Sequence, residues 1–200
     1  VAAGTAGARR GRRRGSPDTR AAILAAARDS FAQKGFAGTT IRAVAGRAGV
    51  DPALVHHYFG GKEDLFLAAL ELPVDPREVL AGVVAGGPDG AGERLARTFL
   101  SVWDDPELRL PLLAVARSAL GPEGHRLLAE GFLPVLIGPV LRGLVPDRAE
   151  DRIPLVLSQV LGLIMSRYVL EVEPLASWPA DVVAARVGPT LQRYLTGDLP

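Results

Sequence analysis

A dense run of helix start and stop signals between residues 16 and 70 leaves this chain little choice of local structure. Ser16 can cap a helix, Pro17 fits its first position, and Asp18 suits the positive end of its dipole. Ile23, Leu24, Ala27 and Phe31 then recur at helical spacing, and Gly35 can close the element. A short link, Phe36 to Thr39, leads to Thr40, a good N-cap for a second, shorter helix with apolar positions Ile41, Val44, Ala45 and Ala48. Gly49 supplies a residue tolerant of positive φ for a tight turn. Asp51 and Pro52 restart a third helix, which runs to about Phe59 and stops at Gly60-Gly61. Lys62, Glu63 and Asp64 open a fourth, with Leu65, Phe66, Ala69 and Leu70 on its apolar side.

Beyond Pro73 the periodicity predicts helices at about 76–85, 91–104, 107–120, 123–144, 148–172 and 179–196. They are separated by Gly86-Gly87-Pro88-Asp89-Gly90, Asp105-Pro106, Gly121-Pro122 and Pro146-Asp147. Pro111, Pro134 and Pro139 fall within or near apolar runs and are expected to kink or break them. Nothing alternates with period two, so the expected fold class is all-α. Hydrophobic residues make up 48% of the chain and aromatics only 6%, so the core must be filled by Leu, Val, Ala and Ile. With no cysteine, disulfides, thiolate zinc sites and Cys nucleophiles are excluded together, which fits a cytoplasmic location. No signal-peptide pattern is seen, and the apolar stretch from Ile153 to Met165 is shorter than the ~20 residues of a membrane span.

The net charge of +1 conceals an asymmetry. Residues 1–62 carry 11 Lys and Arg against three Asp, whereas residues 63–200 carry 12 against 19 acids. Such a split points to an end that binds a polyanion. Five of the cations, Arg9, Arg10, Arg12, Arg13 and Arg14, lie in a Gly/Ala-rich run that cannot form a core. That run reads equally as a solvated tail or as a DNA-contacting arm through Arg12, Arg13 and Arg14.

Two short helices joined by a glycine turn, the second opening on proline, form a helix-turn-helix layout. A major groove roughly 12 Å wide admits one helix, whose outer side must then carry hydrogen-bonding or small apolar groups. Val55 and Phe59, with Val50, form the rear of the third helix; Pro52, Ala53, Leu54, His56 and His57 are left facing outward. The adjacent histidines point about 100° apart, unlike helical metal-ligand pairs, and only His125 remains elsewhere, so no metal or cofactor is expected. No Ser–acid partner and no phosphate-cradling loop of Walker spacing is present.

The run Ile23-Leu24-Ala25-Ala26-Ala27, Phe31, Lys34-Gly35-Phe36, Thr39-Thr40-Ile41, Val44-Ala45, Ala48-Gly49-Val50 and Val55 to Leu65 resembles the DNA-binding signature of the TetR family. It covers roughly residues 18–70 without gaps; His56 stands where the family usually has an aromatic, and Asp51 takes the capping position. The resemblance implies that Thr40 presents its hydroxyl and the second helix's amides to a phosphate, and that Arg42 reaches a guanine edge or a phosphate. It implies that Pro52, Ala53, Leu54, His56 and His57 face bases and flanking backbone, that Tyr58 gives its hydroxyl to a phosphate, and that Lys62 neutralises another. Taken singly, Thr40 and Asp51 read as simple caps and Arg42 as a solvated charge.

The same resemblance implies a body that binds an effector and forms a homodimer. On this division residues 1–15 are a disordered basic arm, 16–61 the DNA-binding domain, 62–73 a connecting helix and 74–200 the ligand-binding and dimerisation domain. Phe99, Trp103, Leu112, Val115, Arg117, Phe132, Met165 and Tyr168 are the pocket candidates, and the shortage of charge among them points to an apolar or aromatic ligand. Leu157, Leu161, Ile164, Val183, Val187, Leu191 and Tyr194 are the interface candidates, as parts of a two-fold four-helix bundle. The expected function is a regulator, a repressor released from a palindromic operator by a small molecule. A constitutive or architectural DNA-binding protein shares the head but needs no pocket. An all-α enzyme lacks any convergent catalytic set.

Overall fold

The computed structural model describes residues 17–119, 121, 124 and 127–199. The arginine-rich run, Ser16 and His125 therefore lie outside the described residues, as does the proposed capping of the first helix. Among the described residues every regular element is helical. The order is α1 (Pro17–Gly38), α2 (Ile41–Ala48), α3 (Pro52–Phe59), α4 (Lys62–Ala69), α5 (Pro76–Ala85), α6 (Ala91–Trp103) and α7 (Pro106–Ala119). Then come α8 (π-helical over Leu128–Ile137, continuing as Gly138–Leu141), α9 (Ala149–Ile164, with a π-helical end at Met165–Val169) and α10 (Ala180–Thr196).

α1 is interrupted at Gly35, whose φ of 69° lies in the left-handed region. The carbonyls exposed there are met by Thr39, whose buried hydroxyl donates to Gly35 O at 2.8 Å and Ser30 O at 3.0 Å. Below this bend the head closes around one apolar cluster that includes Ile23, Phe31, Val44, Val55, Leu65 and Phe66. Phe66 meets the edges of Phe31 and Phe36, with ring centroids 4.9 and 5.3 Å away.

The body has its own cluster, centred on α6, α9 and α10. α6 and α10 approach backbone to backbone. A Cβ on Gly92 would lie 2.3 Å from both Gln192 N and Gly188 O, so only glycine fits. The Gln192 side chain secures the contact by accepting from Gly92 N at 2.9 Å and donating to Pro88 O at 2.9 Å. Two buried arginines fasten helix ends. Arg152 donates to Tyr194 O and Gly197 O at the C-terminus of α10 and pairs with Asp147 at 2.8 Å. Arg167 donates to Leu175 O and Trp178 O and pairs with Asp104 at 3.3 Å.

The prolines behave differently from the expected breaks. Pro111 sits inside a continuous α7, and Pro139 occupies the first turn of Gly138–Leu141. Pro134 lies within the π-helical stretch, whose wider turn accommodates the missing N–H without ending the helix. α8 also joins the two clusters: Leu136 is buried in the head's cluster, Phe132 touches both, and Gly131 lies so close to Phe66 that a Cβ there would fall 2.4 Å from its ring.

Candidate nucleic-acid interface and effector cavity

α2 and α3 are each positioned by a side-chain cap. Thr40 Oγ1 accepts from Ala43 N at 3.2 Å, and Asp51 Oδ1 accepts from Ala53 N at 2.8 Å. Gly49 joins them in the left-handed conformation, φ 67°, ψ 32°. Arg47 fixes α2 to α1 by pairing with Asp29 at 3.1 Å. Val55 and Phe59 are buried against the other head helices, so the opposite side of α3 faces solvent. Ala53, His56 and His57 are exposed, and Pro52, Leu54 and Tyr58 are half-buried. Thr40 and Arg42 are exposed at the start of α2.

Two residues of this surface have partners that sequence reasoning missed. His56 donates from Nδ1 to Gly60 O at 2.7 Å, so its ring closes the end of α3 and Nε2 is the ring nitrogen left for another partner. Lys62 lies over the Phe36 ring, 4.3 Å from its centroid, with Nζ 3.5 Å from Ala37 O. Partial burial there lowers its pKa. This brings the ammonium to the link between α1 and α2. Among the described residues no cluster of His, Asp or Glu could hold a metal ion.

The body holds a partly open cavity of about 360 Å3 between the α4–α5 link, α5 to α7, α8 and α9. Of the pocket candidates, Phe99, Trp103, Leu112, Val115, Phe132 and Met165 line it. Arg117 and Tyr168 do not. Arg117 is exposed on α7. Tyr168 is buried beside Trp103, with its hydroxyl donating to Asp104 Oδ1 at 2.8 Å; burial and the Asp104 carboxylate push its phenol pKa up. The wall also includes Leu70, Leu72 and Val74 from the segment after α4; Leu70 is expected on the apolar side of the fourth helix, and none of the three is among the pocket candidates.

The interface candidates divide in the same way. Val183 and Leu191 are 0% and 1% exposed within the chain's own core, so they face α6 and cannot meet a second copy. Leu157, Leu161 and Ile164 contribute to the cavity wall, while Val187 and Tyr194 are half-buried against the body cluster. The outer side of α9 instead carries Pro154, Leu155, Ser158, Leu161 and Gly162, at spacings that keep them on one stripe. On α10 the exposed positions are Asp181, Ala185, Arg186, Pro189, Thr190 and Arg193. Gly162 has open space where a Cβ would stand. Among the described residues no helix is long and apolar enough to cross a membrane.

Two family models match the chain. Residues 23–69 match the family described as bacterial regulatory proteins, tetR family, and residues 89–195 match the tetracyclin repressor-like C-terminal domain. The chain is 44% identical to the HTH-type transcriptional regulator BetI of Brucella canis, over 44% of this chain and 50% of the relative. It is 34% identical to the HTH-type transcriptional regulator Mb3439c of Mycobacterium bovis, over 54% of this chain and 62% of that protein. The chain thus spans about half the length of the curated BetI relatives it matches. It is also similar to the crystal structure of the TetR-family regulator SCO0857 from Streptomyces coelicolor A3. That likeness is 40% in sequence, covers 92% of this chain and 98% of the other, and has a TM-score of 0.49. These relatives are named as transcriptional regulators, not enzymes. The chain belongs to the TetR family of bacterial transcriptional regulators.

Proposed function

We propose that the chain is a ligand-responsive repressor that holds a palindromic operator as a homodimer and releases it when a small molecule fills the cavity. The observation that carries this reading is the division of labour within one chain: α3 turns a solvent-facing side outward from a closed core, and the body keeps an apolar cavity. A constitutive DNA-binding protein has no use for that cavity.

In this reading Thr40 and the amides at the start of α2 hold a phosphate, Arg42 and His57 reach base edges, and Ala53 and Leu54 meet thymine methyl groups. Pro52 and Tyr58 border the groove, and Lys62 supplies a phosphate contact from its seat over Phe36. His56 contributes through Nε2 alone. The dimer forms through the α9 stripe at Leu155, Leu161 and Gly162 with the outer side of α10, leaving Val183 and Leu191 in the subunit core. The two α3 helices then reach half-sites about one turn of DNA, ~34–36 Å, apart. Effector binding shifts the population toward a head separation that no longer fits.

Selection of DNA from a random pool by the purified chain, followed by fluorescence anisotropy, tests the assignment. The selected sequences should be two-fold symmetric. Arg42→Ala and His57→Ala should relax specificity, each base contact being worth about 1–3 kcal/mol, whereas Lys62→Ala should weaken all sequences alike and reduce the salt slope by about one. Binding unchanged in all three variants would sink the assignment.

A further inference from the structure

Among the described residues the cavity is bounded by hydrocarbon, thioether and aromatic side chains. Two charged side chains beside it in the chain are engaged elsewhere. Asp104, next to Trp103, receives the Tyr168 hydroxyl and Arg167, and Arg77 at the start of α5 pairs with Asp64 and Asp75. An ionised group drawn into this space would give up its water and gain nothing in return. Ordered water is equally ill-served, because it needs two or more polar partners.

Size and shape narrow the occupant further. An apolar cavity of ~150 Å3 stays dry and takes benzene, so a volume of about 360 Å3 suits a molecule of roughly twelve to fifteen carbons. Phe99 and Trp103, with ring centroids 5.7 Å apart, offer a flat wall, and Phe132 another. Ile164 and the flexible Met165 can adjust to an irregular outline. We infer that the effector is an uncharged, lipophilic molecule of about this size, bound by its hydrocarbon body, and not an organic cation or a carboxylate. Calling it an effector rests on the regulatory function proposed above; its chemical class rests on the cavity alone.

The test uses four probes: hexylbenzene and 1-decanol as uncharged molecules, decanoate and decyltrimethylammonium as ions built on the same ten-carbon chain as decanol. Trp103 lines the cavity, so its emission in the Trp178→Phe variant reports occupancy, and the melting temperature of the unaltered chain gives a second readout. The uncharged pair should quench Trp103 and raise the melting temperature with a Kd at least about tenfold below that of either ion. Binding of either ion as tight as the uncharged pair, or no response to any probe, overturns the inference. Operator affinity measured alongside separates the two claims. Uncharged probes that bind without changing DNA affinity sink the regulatory reading and spare the ligand class; an ion that alone releases DNA does the reverse.

Discussion

The head and the body solve the same packing problem by opposite means. The head sets the short α2 and α3 against the long α1, with their ends fixed locally by Thr40, Gly49 and Asp51, around a closed cluster of Phe31, Val55 and Phe66. The body's helices are held by distant polar anchors, Arg152 and Arg167, and leave an apolar cavity between them. The difference teaches what each part can tolerate. A surface that must match a rigid duplex benefits from geometry set within a few residues. A receiver must deform when filled, and so keeps space and long-range fastenings.

The largest test of this contrast is Phe66→Ala. Loss of a buried phenylalanine typically costs about 3–5 kcal/mol, and the ring also rests on Gly131 of α8. Thermal unfolding should therefore show a single transition moved down as a whole; a loss confined to the head would mean that the two clusters are not joined through α8. Gly92→Ala comes next. Its methyl has no room against the α10 backbone, and overpacking of this kind costs about 1–3 kcal/mol. Hydrogen exchange should rise most in α6 and α10.

Asp51→Ala removes one cap from α3, a loss of about 1 kcal/mol. Its effect should be local, with faster amide exchange at Ala53 and weaker operator binding but unchanged probe binding in the cavity. The smallest effect concerns Asp75, whose pKa is lowered chiefly by its side-chain hydrogen bonds to Arg77. A carboxylate with a lowered folded pKa stabilises above the ordinary carboxylate range and loses that contribution as pH falls through its folded value. Asp75→Asn should thus cost under about 1 kcal/mol at neutral pH, and its urea midpoint should converge with that of the unaltered chain in acid.

The same contrast governs what the sequence could reveal. Thr40, Gly49, Asp51 and the buried pair Val55 and Phe59 were readable because capping and helical period act within a few residues. In the body, periodicity identifies an apolar stripe but not the neighbour it meets. Val183 and Leu191 have the spacing of an interface and instead pack inside the chain, while Leu157 and Ile164 turn to the cavity. Tyr168 has the composition of a pocket residue, but its hydroxyl is drawn to Asp104, a partner 64 positions away. Pro134 looked like a break because the π-helical turn that absorbs it leaves no local signal. Leu70 follows the period of the fourth helix, whereas Leu72 and Val74 lie in the link beyond α4, and nothing local marks any of the three as cavity wall.

The contact between α6 and α10 has a further consequence for how such a chain can change over generations. At Gly92 a Cβ would meet only the main chain of α10, with no side chain there to shrink in exchange for a gain opposite. Bulk acquired at this position cannot be answered by a second substitution across the seam. Drift is therefore barred at this site while the surrounding wall remains free to diversify, and lineages with quite different cavities should inherit the same bare crossing.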